Sequence, residues 1–140
     1  MRMIAALAGV VLATALAGCG ERAAAPDDLN GRWVVQEIAG EGIETNGALL
    51  LMINSADGEI DGRTGCNAFT ATIQSFGQSI TIGNVVATDS ACTTQEAQID
   101  QERFLRVLPS VRRYVRNGRR LELLPQAAGA EALILARGEG

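Results

Sequence analysis

The chain has 140 residues and a formal net charge of −4, with twelve arginines against sixteen acids and neither lysine nor histidine. The missing histidine and lysine remove the usual general bases, Schiff-base chemistry and imidazole ligands for zinc. Composition is otherwise that of a globular protein, with no low-complexity segment and no internal repeat.

Residues 1–19 read MRMIAALAGVVLATALAGC: one charge at Arg2, a largely apolar run from Met3 to Leu16, then small residues. Charge, length and polarity are those of a secretory signal peptide, here 1–18. The run is shorter than the roughly 20 residues that a membrane span needs. It ends in Leu16-Ala17-Gly18-Cys19, which resembles the bacterial lipobox, whose cysteine takes a diacylglycerol and becomes the first mature residue. Cys19 is therefore the expected lipidation site. Each buried acyl methylene of a palmitate-like chain contributes roughly 0.8 kcal/mol, so several chains hold a protein on a bilayer. The alternative is a secreted protein whose Cys19 leaves with the signal, and export follows either way. Gly20, where an Asp would favour retention in the inner membrane, resembles the outer-membrane class. The expected location is the inner leaflet of the outer membrane, facing the periplasm, which disfavours nucleic acid as a partner. The adjoining stretch, GERAAAPDD, has no apolar periodicity and reads as a tether, 19–27 in the mature chain.

The remaining residues, 28–140, make one domain with a modest core. GRWVVQEI, LLLMIN, FTATIQSF, SITIGNVVAT, RRYVRN, RLELLP and EALILAR are short β-favouring runs separated mostly by Gly, Asn or Asp. Asn117-Gly118 between two of them is the strongest hairpin signal. One helix interrupts the series, with Thr93 as N-cap, Glu96 three residues on, and Pro109 beyond its end. Its expected apolar stripe is Ala97, Phe104, Leu108 and Val111 with Leu105 alongside, leaving Arg103 and Arg106 on the other side to pair with Asp100 and Glu102. These elements describe an α+β, mostly antiparallel domain in which a curved sheet meets one amphipathic helix.

Four features of this domain carry candidate chemistry. Cys66 and Cys92, 26 residues apart, remain as a pair once Cys19 is assigned to lipid. A disulfide is the simplest reading in an exported protein. A metal site lacks ligands, and a nucleophilic cysteine lacks a base. Asp57, Glu59 and Asp61, followed by Gly62, imitate the start of a calcium loop, but Ala68 stands where a bidentate glutamate belongs, so a solvated hairpin fits better. From Arg103 to Arg120 there are seven arginines and no acid, whereas residues 19–102 carry thirteen acids and three arginines. Arg112, Arg113, Arg116, Arg119 and Arg120 form a candidate anion-docking stripe, for lipid headgroups or an acidic partner, against the plainer reading of a solvated face. Trp33, the single tryptophan, either lines a pocket or plugs the core, and the second is the commoner role.

The order Gly31-Arg32-Trp33, Gly65-Cys66-Asn67, Ala87-Thr88-Asp89-Ser90-Ala91-Cys92, a helix with Glu102 and Phe104, Arg113-Tyr114, and Leu121-Glu122-Leu123 resembles the META domain. That family includes the heat-shock lipoprotein HslJ, and the pattern spans nearly all of the mature domain. Ser90 departs from it, standing where the family often has methionine. The resemblance marks Trp33, Gly65, Cys66, Asn67, Thr88 and Cys92 as motif residues. It implies an open or cracked, lipocalin-like antiparallel β-barrel wrapping the helix, and a link to envelope or heat stress. Expected function is then a monomeric, non-enzymatic binding or scaffolding lipoprotein, without cofactor or metal, that meets the membrane through its anchor and an unidentified envelope protein or small ligand. The alternatives are a barrel holding a lipid or small apolar molecule, and an inhibitor whose loop, Gly40 to Gly47, plugs an envelope enzyme. A filled interior favours the first, a lined cavity the second, a protruding loop the third.

Overall fold

A computed structural model describes residues 29–43, 45, 48–127 and 131–139. The signal peptide, Cys19 and the tether lie outside the described residues.

Among the described residues nine strands and one α-helix run in order: β1 (Gly31–Ile38), β2 (Glu41–Gly42), β3 (Leu49–Asn54), β4 (Glu59–Thr64), β5 (Ala68–Phe76), β6 (Ser79–Ala87), α1 (Gln95–Val107), then β7 (Val111–Asn117), β8 (Arg120–Pro125) and β9 (Leu133–Arg137). Every pairing is antiparallel, from β1 through β3 to β9, and β9 returns to pair with β1. The ring therefore closes as an eight-stranded barrel, with the two-residue β2 hung on β1. Closure pairs the first long strand with the last, so neither β1 nor β9 is left as the open edge that an antiparallel sheet otherwise exposes.

Alternation decides which side of each strand faces in. On β3, Leu49, Leu51 and Ile53 are buried; on β5, Phe69, Ala71 and Ile73; on β8, Leu121 and Leu123. Three strands change phase midway. On β1 the inward residues run Trp33, Val35 and then Ile38, because the β9 pairing skips Gln36. β6 and β7 carry similar irregularities, at Asn84–Val85 and at Arg112. An extra residue in one strand bends it and re-aims the side chains beyond the bulge. β4 has a single large apolar side chain, Ile60, between charged neighbours. EIDGRT was not among the expected strands, and it forms by pairing along its length with β3 and β5.

The expected crack takes the form of a seam. β6 and β7 share one register pair, Ser79 with Arg113, next to a bond from the Tyr114 N–H to the Gln78 carbonyl. Beyond it the chain leaves the wall to make the helix. α1 begins one residue later than expected: Thr94, in extended conformation, accepts from the Ala97 N–H, and Thr93 lies outside. It ends at Val107, and Pro109 sits in a 3-10 turn, Leu108–Ser110, that leads into β7.

The buried face of α1 is Ala97, Asp100, Phe104 and Val107, with Leu108 just after it. Val111 is buried too, but as the first residue of β7 rather than as part of the helix stripe. Phe104 meets Phe69 edge to face at 5.2 Å. Phe69 in turn lies over Gly62, where a Cβ would come within 2.3 Å of the ring and 2.5 Å of the Leu50 carbonyl oxygen. The glycine that imitated a calcium-loop turn is there to admit an aromatic ring. The expected Arg103 and Arg106 pairings also differ. Arg103 turns inward, donating to the Ile38 carbonyl and pairing with Glu41 at 3.1 Å, while Arg106 pairs with Glu131 at 3.6 Å. Asp100 is buried and accepts from the N–H and hydroxyl of Thr45 at 3.1 and 3.0 Å.

In an up-and-down barrel, alternate connections fall at the same end. One end carries α1, the 38–49 loop, the 64–68 turn and the 125–133 connection. The other, the rim, gathers the start of β1 at Leu29 to Gly31, the tight turns at 55–58, 77–78 and 118–119, and the end of β9. In the 118–119 turn Gly118 has φ 60° while Arg119 keeps an ordinary φ, and Asn117 is the last strand residue, paired with Arg120. That is a II′-like hairpin, with glycine first, rather than a turn centred on Asn-Gly.

Candidate functional site

The GCN turn sits at the helix end, between β4 and β5. Its geometry begins with Thr64, fully buried at the end of β4, whose hydroxyl accepts from the Asn67 N–H at 3.0 Å. The same hydroxyl donates to the Gln101 side-chain oxygen on α1 at 2.5 Å. Asn67, 5% exposed, uses both ends of its amide. Its Nδ2 donates to the Ser90 carbonyl at 3.0 Å and to Gln101 Oε1 at 2.9 Å, while its Oδ1 accepts from the Ser90 N–H at 2.7 Å and the Thr88 hydroxyl at 2.9 Å. A buried polar side chain satisfied on all sides rigidifies the segments it touches.

Beside this hub Cys66 and Cys92 form a disulfide, with Cα atoms 5.0 Å apart. The bridge and the amide act on the same link, since both tie the 88–92 segment back to the β4–β5 turn. Thr88 adds a second hold: its N–H donates to the Ala68 carbonyl, and the Ala68 N–H donates to its hydroxyl. Gly65, Cys66, Asn67, Thr88 and Cys92 thus form one clasp, which fastens the strand-to-helix crossover onto the barrel. The sixth motif residue, Trp33, is elsewhere. It is fully buried inside the barrel toward the rim and donates from Nε1 to the Leu29 carbonyl at 2.8 Å. It plugs the core.

Two shallow depressions flank the clasp. One, of about 260 Å³, is lined by Ala48, Arg63, Gly65, Cys66, Asn67 and Ala68. The other, of similar volume, is mostly apolar and lined by Phe69, Thr70, Val86 and their neighbours. The barrel axis itself is occupied by Trp33, Leu51, Ile60, Ile73, Phe104, Leu121, Leu133 and other buried side chains.

Asp57, Glu59 and Asp61 are exposed on the β3–β4 hairpin, and Asp57 accepts from Asn54. Among the described residues no group of three or more acidic or cysteine side chains is placed to hold a metal ion, and no helix is long and apolar enough to cross a membrane.

The candidate docking arginines are all exposed on β7, β8 and their turn. They are not equivalent. Arg112 folds onto the Pro109 and Val111 carbonyls, and Arg120 pairs with Glu122 at 2.9 Å. Arg116 lies over the Trp33 ring at 5.5 Å, as does Arg137 from β9 at 5.1 Å. Arg119 donates to the Arg137 carbonyl at 3.1 Å. Arg113 has neither ion pair nor side-chain hydrogen bond among the described residues. Sequence reasoning found the motif residues but missed Thr64, Gln101 and Arg137, whose roles arise from contacts far apart in the chain. The Gly40 to Gly47 loop lies partly outside the described residues; Thr45 within it is held to α1 by Asp100.

A family described as META domain matches residues 27–138. No curated protein is similar enough in sequence to count as a relative. Among solved structures, an NMR structure of a protein from Burkholderia xenovorans superposes with TM-score 0.61 at 19% identity, covering 96% of this chain and 100% of that one. A DUF4847 family protein from Bacteroides vulgatus superposes with TM-score 0.59 at 16% identity, over 81% of this chain and 98% of its own. At these identities the likeness is one of fold.

Proposed function

The chain belongs to the META domain family, and from that premise we propose that it is a lipid-anchored envelope protein whose barrel binds or scaffolds rather than catalyses. The observation that carries this reading is the filled interior. Bulky side chains occupy the barrel axis, and the polar motif residues satisfy one another in the clasp. The outer surface is left for function. The anchor is the acylated Cys19, the address is the periplasmic face of the outer membrane, and the service is in the envelope or heat stress that the resemblance implies.

Native mass spectrometry of the mature chain, purified from the periplasm without its lipid, tests the reading. A bare chain two hydrogens lighter than the reduced sequence is expected. A retained lipid or small apolar molecule would overturn it in favour of a ligand-holding barrel, with the apolar groove beside Val86 as the first place to look. Acyl labelling of wild type against Cys19→Ser tests the anchor separately, and equal labelling removes it.

A further inference from the structure

We infer that the half of the rim built by the β5–β6 and β7–β8 hairpins is a membrane-contact surface, with Phe76 entering the interface of an anionic bilayer and Arg113 and Arg119 meeting its phosphates. Phe76 is 84% exposed, the most exposed large apolar side chain among the described residues, and it stands at the tip of the β5–β6 hairpin beside Gly77. A lone exposed apolar residue on a soluble surface needs no explanation. Its neighbours give this one a direction.

Phe76 pairs with Ser79, and Ser79 pairs with Arg113 across the seam, so the three share one outward-facing row over adjacent strands. Neighbouring strands lie about 4.8 Å apart, which places Arg113 roughly 10 Å from Phe76 along the row. Both side chains are exposed, and the Arg113 guanidinium has no counter-charge among the described residues. Arg116, further along β7, and Arg119, in the hairpin turn after it, continue the charge, and the Arg119 guanidinium is held by a carbonyl with no counter-charge among the described residues. Aromatic tips flanked by arginine are suited to the headgroup layer, where a ring sits at the apolar boundary and a guanidinium grips phosphate in bidentate fashion. The neighbouring β3–β4 hairpin differs in sign, with Asp57 in its turn and Glu59 opening β4 both exposed. Farther round the rim, the ends of β1 and β9 carry Arg32 and Arg137. The acidic hairpin therefore bounds the contact on its β4 side.

The length of chain preceding the domain, and where it joins, supply the second argument. Leu29 and Asn30 sit at the rim, bonded to Trp33 and Arg137. Leu29 follows Cys19 by ten positions, a reach of at most ~36 Å when fully extended. A lipid at Cys19 would hold the domain that close to a bilayer by the end on which Phe76 stands, with the clasp and helix facing away. In this respect the inference rests on the anchor proposed above; the exposure of Phe76 and the charge beside it do not.

The experiment separates the two. Every strand, the helix and the disulfide lie within residues 31–137, so the mature chain made without lipid carries the whole fold. With Cys66 and Cys92 bridged, Cys19 is its single free thiol, and coupling it to a maleimide lipid rebuilds the tether whether or not the native cysteine is acylated. A Phe76→Trp variant, coupled to phosphatidylglycerol vesicles with brominated acyl chains, should lose roughly half its added emission, the quenching of an interfacial indole. It should recover in about 1 M salt, where the Debye length is ~3 Å, and on phosphatidylcholine vesicles. Replacing Arg113 and Arg119 by serine should restore emission in the same way. Wild type, whose Trp33 is buried, and Val86→Trp at the other end of β6 should stay bright. Unquenched Phe76→Trp on anionic vesicles overturns the inference, and equal quenching on both lipids overturns the requirement for a negatively charged bilayer. Loss of acyl labelling at Cys19 in the native protein, with quenching retained, would sink the anchor alone.

Discussion

The two ends of the barrel are closed by different chemistry. At the helix end, a disulfide and a buried amide act on the same short segment, and two phenylalanines in edge-to-face contact fill the space beneath α1. At the rim, one indole is covered by two guanidiniums, and the turns at 77–78 and 118–119 are as short as hairpins allow. The helix end spans a crossover that the sheet alone cannot hold, because the seam beside it has one register pair. The rim joins strands already zipped along their length. Covalent and polar fastening thus stands where ladder hydrogen bonds run out.

The comparison can be broken most severely under the helix. Phe104→Ala removes a fully buried ring that touches Phe69, and should cost about 4 kcal/mol, read as a lowered urea midpoint with the slope unchanged. Next comes the bridge. Cys66→Ser, or reduction of the wild type, should cost about 3 kcal/mol by releasing a loop of this length, and Cys92 then becomes reactive to thiol reagents. If both cysteines label freely in the oxidised protein, the clasp is wrong. Asn67→Ala leaves the Ser90 N–H and carbonyl without their partner and should cost about 2 kcal/mol. Its signature is local: amide exchange should quicken at 88–92 and in α1 while the β7–β8 hairpin stays protected.

At the rim the expected effects are smaller. Arg116→Ala loses a cation–π contact worth about 0.5–1 kcal/mol together with its bond to the Gly118 carbonyl, and should leave exchange in the 88–92 segment unchanged. The same fall there as for Asn67→Ala would mean that the two ends are coupled. The smallest change is a gain. Ala39 is held at φ 55° in the β1–β2 turn, so Ala39→Gly should raise stability by roughly 0.5 kcal/mol, visible as a slightly higher melting temperature.

The strands were legible because β-favouring runs are local, and seven of them lie in such runs, set apart mostly by Gly, Asn or Asp. β4 was not, since one isoleucine among charges carries no period, and its strand character comes from the neighbours that pair with it. The cysteine pair could be read from its count and from the export expected of the chain. The role of Asn67 could not, because its partners Ser90 and Gln101 stand 23 and 34 residues away. Arg103 misled for a related reason: on the helix alone it belongs with the solvent-facing charges, and only the arrival of the Ile38 carbonyl and Glu41 turns it inward. The bulge at Gln36 switches the inward phase of β1, so Ile38 is buried where strict alternation would bury Glu37.

The ring is completed by its first and last strands. Trp33 is in register with Arg137, which places closure at the largest sequence separation the domain offers, and non-local pairing of this kind slows folding. β1 forms early along the chain and β9 last, so until β9 is in place β1 and β8 each lack a neighbour. The ring therefore cannot close before its last strand is available. On the proposed route of export, in which the chain crosses a membrane in extended form, the order of its strands postpones the shape that would block passage.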